Sequence, residues 1–166
     1  MEFTTFIEFL KQYGGPVFAM IGCALAVALP GIGSATGVGI AGESAAAVVA
    51  EDSSKYVKTI ILQALPGTQG FYGLITAMLV FIRKGLFAGT FMTMDLSTGM
   101  LLFAACLPIA LVGRGSAIAQ GKVAAAGIAL IGKKEEELSK AMVYAAIVET
   151  YAILALAISV IILLFI

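Results

Sequence analysis

The stretch AMVYAAIVETYAILALAISVIILLFI, residues 141–166, is a continuous apolar segment with one charged residue, Glu149. A transmembrane α-helix needs roughly 17–25 predominantly apolar residues, so this stretch is long enough to cross a bilayer. A carboxylate inside such a segment is costly, and it marks a functional site by default. The stretch therefore predicts a membrane-spanning helix that carries a functional carboxylate.

The whole chain has the composition of a membrane protein. Of its 166 residues, 61% are hydrophobic and 12% charged, and its mean hydropathy is +1.07. An ordinary soluble domain has about 25% charged residues. Apart from Glu149, four stretches contain no charge, namely 14–42, 59–82, 96–113 and 141–166. The alternating hydrophobicity of a membrane barrel is not visible. We therefore predict an all-α membrane protein with four transmembrane helices.

Several other functional classes find no support in the sequence. The formal net charge is zero and there is no basic run, so nucleic acid is not an expected partner. Cys23 and Cys106 lie in apolar runs without CxxC spacing, and we interpret them as small hydrophobic residues. GVGIAG, residues 37–42, matches GxGxxG, but a dinucleotide site needs that motif directly after a strand. The N-terminal residues 1–15 lack a basic leader and a cleavage site, so we expect that segment to be retained.

The chain contains an internal repeat at an offset of 82 positions. Without a gap, residues 14–84 align with residues 96–166, and GIGSA (31–35) falls on GRGSA (113–117). Each repeat holds two predicted helices, so both hairpins enter the membrane from the same side and the repeat is parallel. We divide the chain into a short N-terminal segment (1–13), a first hairpin (14–84), an external linker (85–95) and a second hairpin (96–166).

Charge around the spans indicates an orientation. The polar connections EDSSKYVK (51–58) and GKKEEELSK (132–140) lie on one side of the membrane and contain five lysines. The other side has three basic residues, Lys11, Arg83 and Lys84. Positive residues are more frequent in cytoplasmic loops. We therefore expect a cell-membrane protein with both hairpin loops in the cytoplasm and both termini outside.

The first and third helices are long and rich in small residues. The first runs over about 37 residues, or roughly 55 Å, whereas the hydrocarbon core needs about 30 Å. Two small-xxx-small patterns lie on this helix, one through Gly31, Ala35 and Gly39 and one through Gly33, Gly37 and Ala41. Such patterns let helix backbones approach closely in lipid. Two of them on one helix predict neighbours on two sides, and hence self-association into a larger assembly.

A group of oxygen-bearing side chains interrupts the apolar segments. Its members are Thr68, Gln69, Tyr72, Gln120 and Glu149. In the repeat, Glu149 falls on Gly67, so Thr68 has nearly the depth of the carboxylate. Hard cations prefer oxygen ligands, which favours an ion site. The alternative is a hydrogen-bonded cluster that holds the helices together, although such a cluster has no need of a carboxylate.

At these residues the chain resembles a known family. LPGTQGFYG (65–73), IAQGKVAAAG (118–127) and VETYAIL (148–154), with GIGSATGVGIAGE (31–43), are similar to motifs of the membrane rotor-ring subunit of V/A-type rotary ATPases. The resemblance covers nearly the whole chain and implies a homo-oligomeric ring in the membrane. In the sodium-translocating members, the matching residues hold Na⁺ through Glu149, the side chains of Gln120, Gln69 and Thr68, and the Leu65 carbonyl. Tyr72 matches a tyrosine that hydrogen-bonds the carboxylate.

The resemblance also implies partners and a mechanism. The ring turns against a stator subunit that supplies an arginine, and torque passes through central-shaft subunits to a separate ATP-hydrolysing head. The chain has no nucleotide site and is expected not to be an enzyme alone. The complete oxygen set favours Na⁺, with a proton ring of the same family as the alternative. A small Glu-dependent cation or drug antiporter is a further alternative, but it would more naturally offer Trp surfaces, and the chain has no Trp.

Three further charges lie in the small-residue helices. Arg114 departs from the family pattern, and at about 9 Å along the helix from Gln120 it is too distant to be a direct ligand. We expect it to extend toward headgroups or water in the ring interior. Glu43 and Lys122 differ in depth by about 4.5 Å if the hairpins are equivalent. We hypothesise that they form an ion pair, within or between subunits.

Overall fold

The computed structural model describes residues 5–166, and all regular structure within that range is helical. The helices are α1 (Phe6–Glu51), α2 (Tyr56–Ala64), α3 (Thr68–Arg83), α4 (Leu96–Lys133) and α5 (Leu138–Phe165). Short 3₁₀ turns occupy Ser53–Lys55, Leu65–Gly67, Phe91–Thr93 and Glu135–Glu137. Because α2 and α3 form one bent segment, four segments are long and apolar enough to cross a membrane. The predicted all-α architecture with four membrane spans is confirmed.

The first helix begins earlier than the sequence indicated. Helix α1 starts at Phe6, where the Thr5 hydroxyl caps it by accepting a hydrogen bond from the Glu8 amide at 3.3 Å. Gly14 and Gly15 do not end the helix, because both are buried against the start of α4. Most of the predicted N-terminal segment is therefore part of the first long helix, and residues 1–4 of that segment lie outside the described residues.

The two polar connections are shorter than the sequence predicted, and they touch each other. Helix α2 already starts at Tyr56 and α5 at Leu138, so Lys58 and Lys140 are helical residues rather than loop residues. Their side chains reach out of the helix, and Lys58 Nζ pairs with Glu135 at 2.6 Å across the two connections. Lys55 Nζ also donates to the Gly132 carbonyl at 2.7 Å. Both connections therefore lie at one end of the bundle, as a parallel repeat requires.

Helices α1 and α4 lie side by side in the same direction with almost no space between their backbones. A methyl group on Gly121 would overlap the backbone of Gly37, and one on Gly99 would overlap that of Gly15. A Cβ added to Gly33 would lie only 2.6 Å from the backbone of Arg114. The residue numbers of these contacts increase in the same direction on both helices. The two hairpins are therefore packed in parallel through their first helices.

The two small-residue patterns of α1 face different surroundings. Gly33, Gly37 and Ala41 are buried, and Gly33 and Gly37 lie against α4. An added methyl group at Gly31 or Gly39 would meet nothing within 4 Å. The pattern Gly33, Gly37 and Ala41 is thus packed inside the chain. The pattern that contains Gly31 and Gly39 is left on a free face, consistent with the prediction of a further neighbour.

The core consists of two apolar layers separated by polar residues. One layer lies toward the termini and includes Phe91, Leu102 and Ile109, and it also contains the buried cysteines. The other layer lies toward the polar connections and includes Leu62 and Ile128. Buried polar side chains lie between them, namely Ser34, Gln69, Ser116 and Gln120. Apolar packing above and below therefore fixes the depth of the polar layer.

The close contact between α1 and α4 can be tested at its tightest point. We expect Gly121→Ala to lower the thermal stability of the detergent-solubilised chain, because its methyl group would meet the Gly37 backbone, which cannot move aside like a side chain. Overpacking costs about 1–3 kcal/mol, more than the roughly 1 kcal/mol that alanine gains over glycine in a helix. Gly67→Ala is the matched control, since its methyl group would meet only Val38 Cγ2 at 3.7 Å. Equal stability of the two variants, measured by circular dichroism, would contradict the packing.

The start of α4 predicts a pH dependence. Asp95 caps this helix by accepting from the Thr98 amide at 2.9 Å and from the hydroxyls of Ser97 and Thr98, and these bonds hold the pKa of its carboxyl well below the usual range. A lowered folded-state pKa adds stability above the unfolded value of about 4, and this is lost as pH falls through the folded value. We expect Asp95→Ala to lower the unfolding midpoint at pH 7, with a difference from the unmodified chain that persists to about pH 4 and then shrinks. Asp95→Asn keeps the cap but loses the charge, so its midpoint should change less with pH.

Candidate ion-binding site

Glu149 lies within the apolar length of α5, half-buried, eleven residues after the helix begins at Leu138. Its two carboxylate oxygens are held by different helices. The Tyr72 hydroxyl, on α3, donates a short hydrogen bond to Oε1. The Gln120 amide, on α4, donates to Oε2 at 3.3 Å. Each carboxylate oxygen therefore accepts from a different helix, and together the two bonds fix the direction of the Glu149 side chain.

Two fully buried amides connect the carboxylate to the first hairpin. Gln69 Nε2 donates to Gln120 Oε1 at 2.6 Å, and Gln120 Nε2 also donates to the Ala145 carbonyl at 3.1 Å. A buried amide without partners is expensive, and within residues 5–166 every buried side-chain polar atom has one. The orientation of both amides is therefore determined by the network around them.

The network continues into the bend between α2 and α3. The Thr68 hydroxyl lies 3.4 Å from Gln69 Oε1 and donates to the Leu65 carbonyl at 3.0 Å. Pro66 lies in this bend, where it removes a backbone donor. The 3₁₀ turn Leu65–Gly67 replaces regular helix at this point, so an oxygen of the main chain becomes part of the polar layer.

All six residues predicted for the site thus belong to one connected hydrogen-bond network. It runs from the Leu65 carbonyl through Thr68, Gln69 and Gln120 to Glu149, and Tyr72 contacts the far side of the carboxylate. The network joins α3, α4 and α5, so neither hairpin contains the site alone.

Two serines that the sequence interpretation did not assign to the site support it. Ser116 donates to the Val148 carbonyl at 3.0 Å, and its oxygen lies 3.4 Å from Gln69 Nε2. Ser34 accepts from the Gly70 amide at 2.9 Å, near the start of α3, where amides lack acceptors within the helix. The two serines are equivalent in the repeat. The serine shared by GIGSA and GRGSA was the signal in the sequence that could have identified them. In the structure, each serine bonds to the second helix of its own hairpin.

The site contains a single negative charge among neutral oxygens. Among residues 5–166, ion pairs join Asp52 with Lys55, Lys58 with Glu135 and Glu137 with Lys140, so none involves Glu149. The same residues contain no cluster of three acidic, histidine or cysteine side chains. One uncompensated carboxylate surrounded by amide, hydroxyl and carbonyl oxygens suits a monovalent hard cation or a proton.

The other charges of the small-residue helices lie away from the site. Arg114 is exposed, and within the described chain its side chain takes part in no ion pair. Glu43 and Lys122 are also exposed, and they do not pair with each other inside one chain. The intrachain form of the predicted Glu43–Lys122 pair is therefore wrong, because both side chains point to free faces of their helices.

A family model and two known proteins that are similar to the chain indicate the same family. The family model for the C subunit of ATP synthase matches residues 21–80 and 103–162, two segments related by the same offset of 82 positions. The chain is 49% identical over 150 residues to the V-type sodium ATPase subunit K of Enterococcus hirae, covering 90% of this chain and 92% of that protein. It is 39% identical over 148 residues to the A-type ATP synthase subunit K of Methanocaldococcus jannaschii, covering 89% of this chain and 62% of that protein. The chain belongs to the family of ATP synthase C subunits.

Proposed function

We propose that this chain is the ion-carrying rotor-ring subunit of a V-type ATPase or ATP synthase that translocates Na⁺, with Glu149 as the carboxylate that binds and releases the ion. The observation that carries the proposal is the connected network of oxygens between the Leu65 carbonyl and Glu149. The similarity to a sodium ATPase subunit over nearly the full length of both chains supports the same ion.

The two amides bring both donors and acceptors to the site. Gln120 turns its NH₂ group toward the carboxylate, and its oxygen accepts from Gln69. An amide group carries a donor on one side and an acceptor on the other. Gln69 Oε1 lies 3.4 Å from the Thr68 hydroxyl, on the side of the Leu65 carbonyl. The oxygens available to Na⁺ are therefore those of Gln69 and Gln120, together with Thr68, the Leu65 carbonyl and Glu149.

Neutralisation of Glu149 couples ion exchange to rotation. A bare charge at the bilayer centre costs roughly 2.5–3.5 kcal/mol on insertion scales, and a carboxylate that holds Na⁺ loses most of that penalty. Loaded sites can therefore face lipid, whereas an emptied site must stay beside a positive group. We assign that group to an arginine on a stator subunit. Ion entry and exit through separate half-channels then give the movement a direction.

The remaining parts of the machine lie on other chains. Copies of this subunit form a ring in the cell membrane, and the ring passes torque through central-shaft subunits to a separate head that hydrolyses or makes ATP. The chain itself contributes ion binding and no catalytic group. We place the polar connections at residues 52–55 and 134–137 on the cytoplasmic side, with both termini outside.

Sodium should protect Glu149 from chemical modification. A carbodiimide reacts with the protonated carboxyl group, and bound Na⁺ displaces that proton. We expect Na⁺ to slow carbodiimide labelling of Glu149 in purified rings, whereas K⁺ at equal ionic strength does not. Gln69→Leu removes one oxygen near the carboxylate, and a contact to a charged group is worth about 1.5–3 kcal/mol. It should therefore raise the Na⁺ concentration needed for protection by about tenfold or more.

Gln63→Leu is the matched control for this experiment. Gln63 lies on α2 beside Gly42, outside the network, so its variant should keep the protection of the unmodified ring. Labelling that follows pH but ignores Na⁺ would refute the sodium proposal and identify a proton ring of the same family.

Loss of the negative charge should stop transport without stopping assembly. Glu149→Gln keeps the size of the side chain and its hydrogen bonding, but it cannot alternate between a charged and a neutralised state. We expect native mass spectrometry to show rings with an unchanged number of copies. In the complete complex reconstituted in vesicles, ²²Na⁺ uptake driven by ATP should fall to background. Uptake near the level of the unmodified complex would remove Glu149 from the mechanism.

A further inference from the structure

Glu43 and Lys122 are two exposed charges close to the depth of the ion site. Ser44 Oγ donates to the Ala125 carbonyl at 3.0 Å, which fixes the register of α1 against α4 at this level. Glu43 precedes Ser44 by one residue and Lys122 precedes Ala125 by three, so their depths differ by about 3–5 Å. Lys122 also follows the site residue Gln120 by two residues, or about 3 Å along α4. Both charges thus lie within the part of the bundle that holds the ion site.

An isolated charge at this depth is unfavourable, and residues 5–166 of the same chain offer neither Glu43 nor Lys122 an ion-pair partner. The ion pairs within residues 5–166 are all formed by residues in or near the polar connections. The carboxylate of Glu149 is turned toward Tyr72 and Gln120. Charged residues within membrane spans almost always pair or face water. Two opposite charges at similar depth on two different free faces are therefore matched for a contact between copies.

Two grooves lie near these charges, one on each side of the chain. The α1–α2 groove lies beside Glu43, which is next to Gly42 in the chain but does not line the groove. It is lined by residues that include Gly42, Ala45, Ala46, Val49, Ile60 and Gln63. The α4–α5 groove contains Lys122 itself, with Val123, Ala126, Gly127, Leu130 and Tyr144. Both are mostly apolar and have volumes of 270 Å³ and 390 Å³, enough to receive side chains from another molecule.

The positions of the grooves are those of a head-to-tail contact. On α1, Ala46 is nine residues from Gly37, and on α4, Ala126 is nine residues from Ala117, so each lies half a turn around its helix from the α1–α4 contact. One groove therefore faces away from the other at the same level of the bundle. Different surfaces on the two sides of a subunit generate a ring when the rotation between copies closes.

We propose that Lys122 of one copy forms an ion pair with Glu43 of the next copy, and that the α4–α5 groove of the first copy packs against the α1–α2 groove of the second. The pair joins adjacent copies at the level of the ion site and fixes their relative depth. This inference rests on the ring of the proposed function, but it does not depend on which ion the ring carries.

Cysteine cross-linking tests the contact in the assembled ring. In the double variant Glu43→Cys with Lys122→Cys, a short bismaleimide should join one copy to the next and give a ladder of covalent oligomers on denaturing gels. Each single variant is the matched control and should remain monomeric. Cys23 and Cys106 are present in all three and are buried. Intact rings of the double variant, shown by native mass spectrometry, that give no ladder would overturn the proposal.

Charge exchange tests the ion pair itself. Lys122→Glu should place two negative charges together and reduce at least severalfold the fraction of rings that survive heating in mild detergent. Adding Glu43→Lys should restore most of that fraction. The mismatched control is the double variant Glu43→Lys with Lys133→Glu, which has the same net charge as the matched exchange. It leaves two positive charges together at the contact, so the fraction of surviving rings should stay low. If the matched exchange performs no better than the mismatched one, no pair exists. Sodium protection of Glu149 in the unmodified ring is measured separately, so failure of the contact and failure of the ion site remain distinct.

Discussion

An ionised carboxylate inside the hydrocarbon layer needs hydrogen-bond donors from its surroundings, and the structure is organised around that need. On α5 itself, the hydroxyl of the adjacent Thr150 donates to the Ile147 carbonyl, so the donors for Glu149 come from other helices. Tyr72 on α3 and Gln120 on α4 supply one donor each. Helix α1 contributes indirectly, since Ser34 accepts from the Gly70 amide near the start of α3. The small residues between α1 and α4 are what bring the two hairpins close enough for this arrangement.

The repeat explains why the site is asymmetric. Both hairpins kept the GxGSA segment, whose serines Ser34 and Ser116 bind the second helix of their own hairpin. The two hairpins differ at the positions that supply the polar groups of the site. Glu149 has Gly67 as its counterpart, and the first hairpin instead has the bend at Leu65–Gly67, with a hydroxyl and an amide next to it. One hairpin thus provides the charge, and the other provides neutral oxygens that complete the cluster.

Much of this could be predicted from the sequence because membrane spans have a strong compositional signal. Four apolar stretches and an exact offset of 82 positions were sufficient for the number of spans and their parallel arrangement. Five polar residues could be identified because they stand out against apolar neighbours. The Leu65 carbonyl could not, since a main-chain oxygen has no residue type, and it followed only from resemblance to a family. The serines were visible in the repeat, but they were not assigned to the site because nothing in the sequence alone shows which groups they bind.

Other features could not be predicted because they depend on contacts rather than on composition. The extension of α1 back to Phe6 follows from packing of Gly14 and Gly15 against α4, which overrides the tendency of paired glycines to end a helix. The connections are short because Lys58 and Lys140 occupy helical positions, from which their side chains reach Glu135 and Glu137. The direction of the Glu43 and Lys122 side chains depends on the rotation of each helix about its axis, which the repeat does not specify.

The presence of one carboxylate for two hairpins has a consequence for energy conversion. In a ring built from these chains, the number of ions carried per revolution equals the number of chains, which is half the number of hairpins. A ring of the same circumference with a carboxylate in each hairpin would carry twice as many ions for the same rotation. With Gly67 instead of a second carboxylate, such a ring has a lower ion-to-ATP ratio. Fewer ions then share the energy of each ATP, and each can be moved against a steeper gradient.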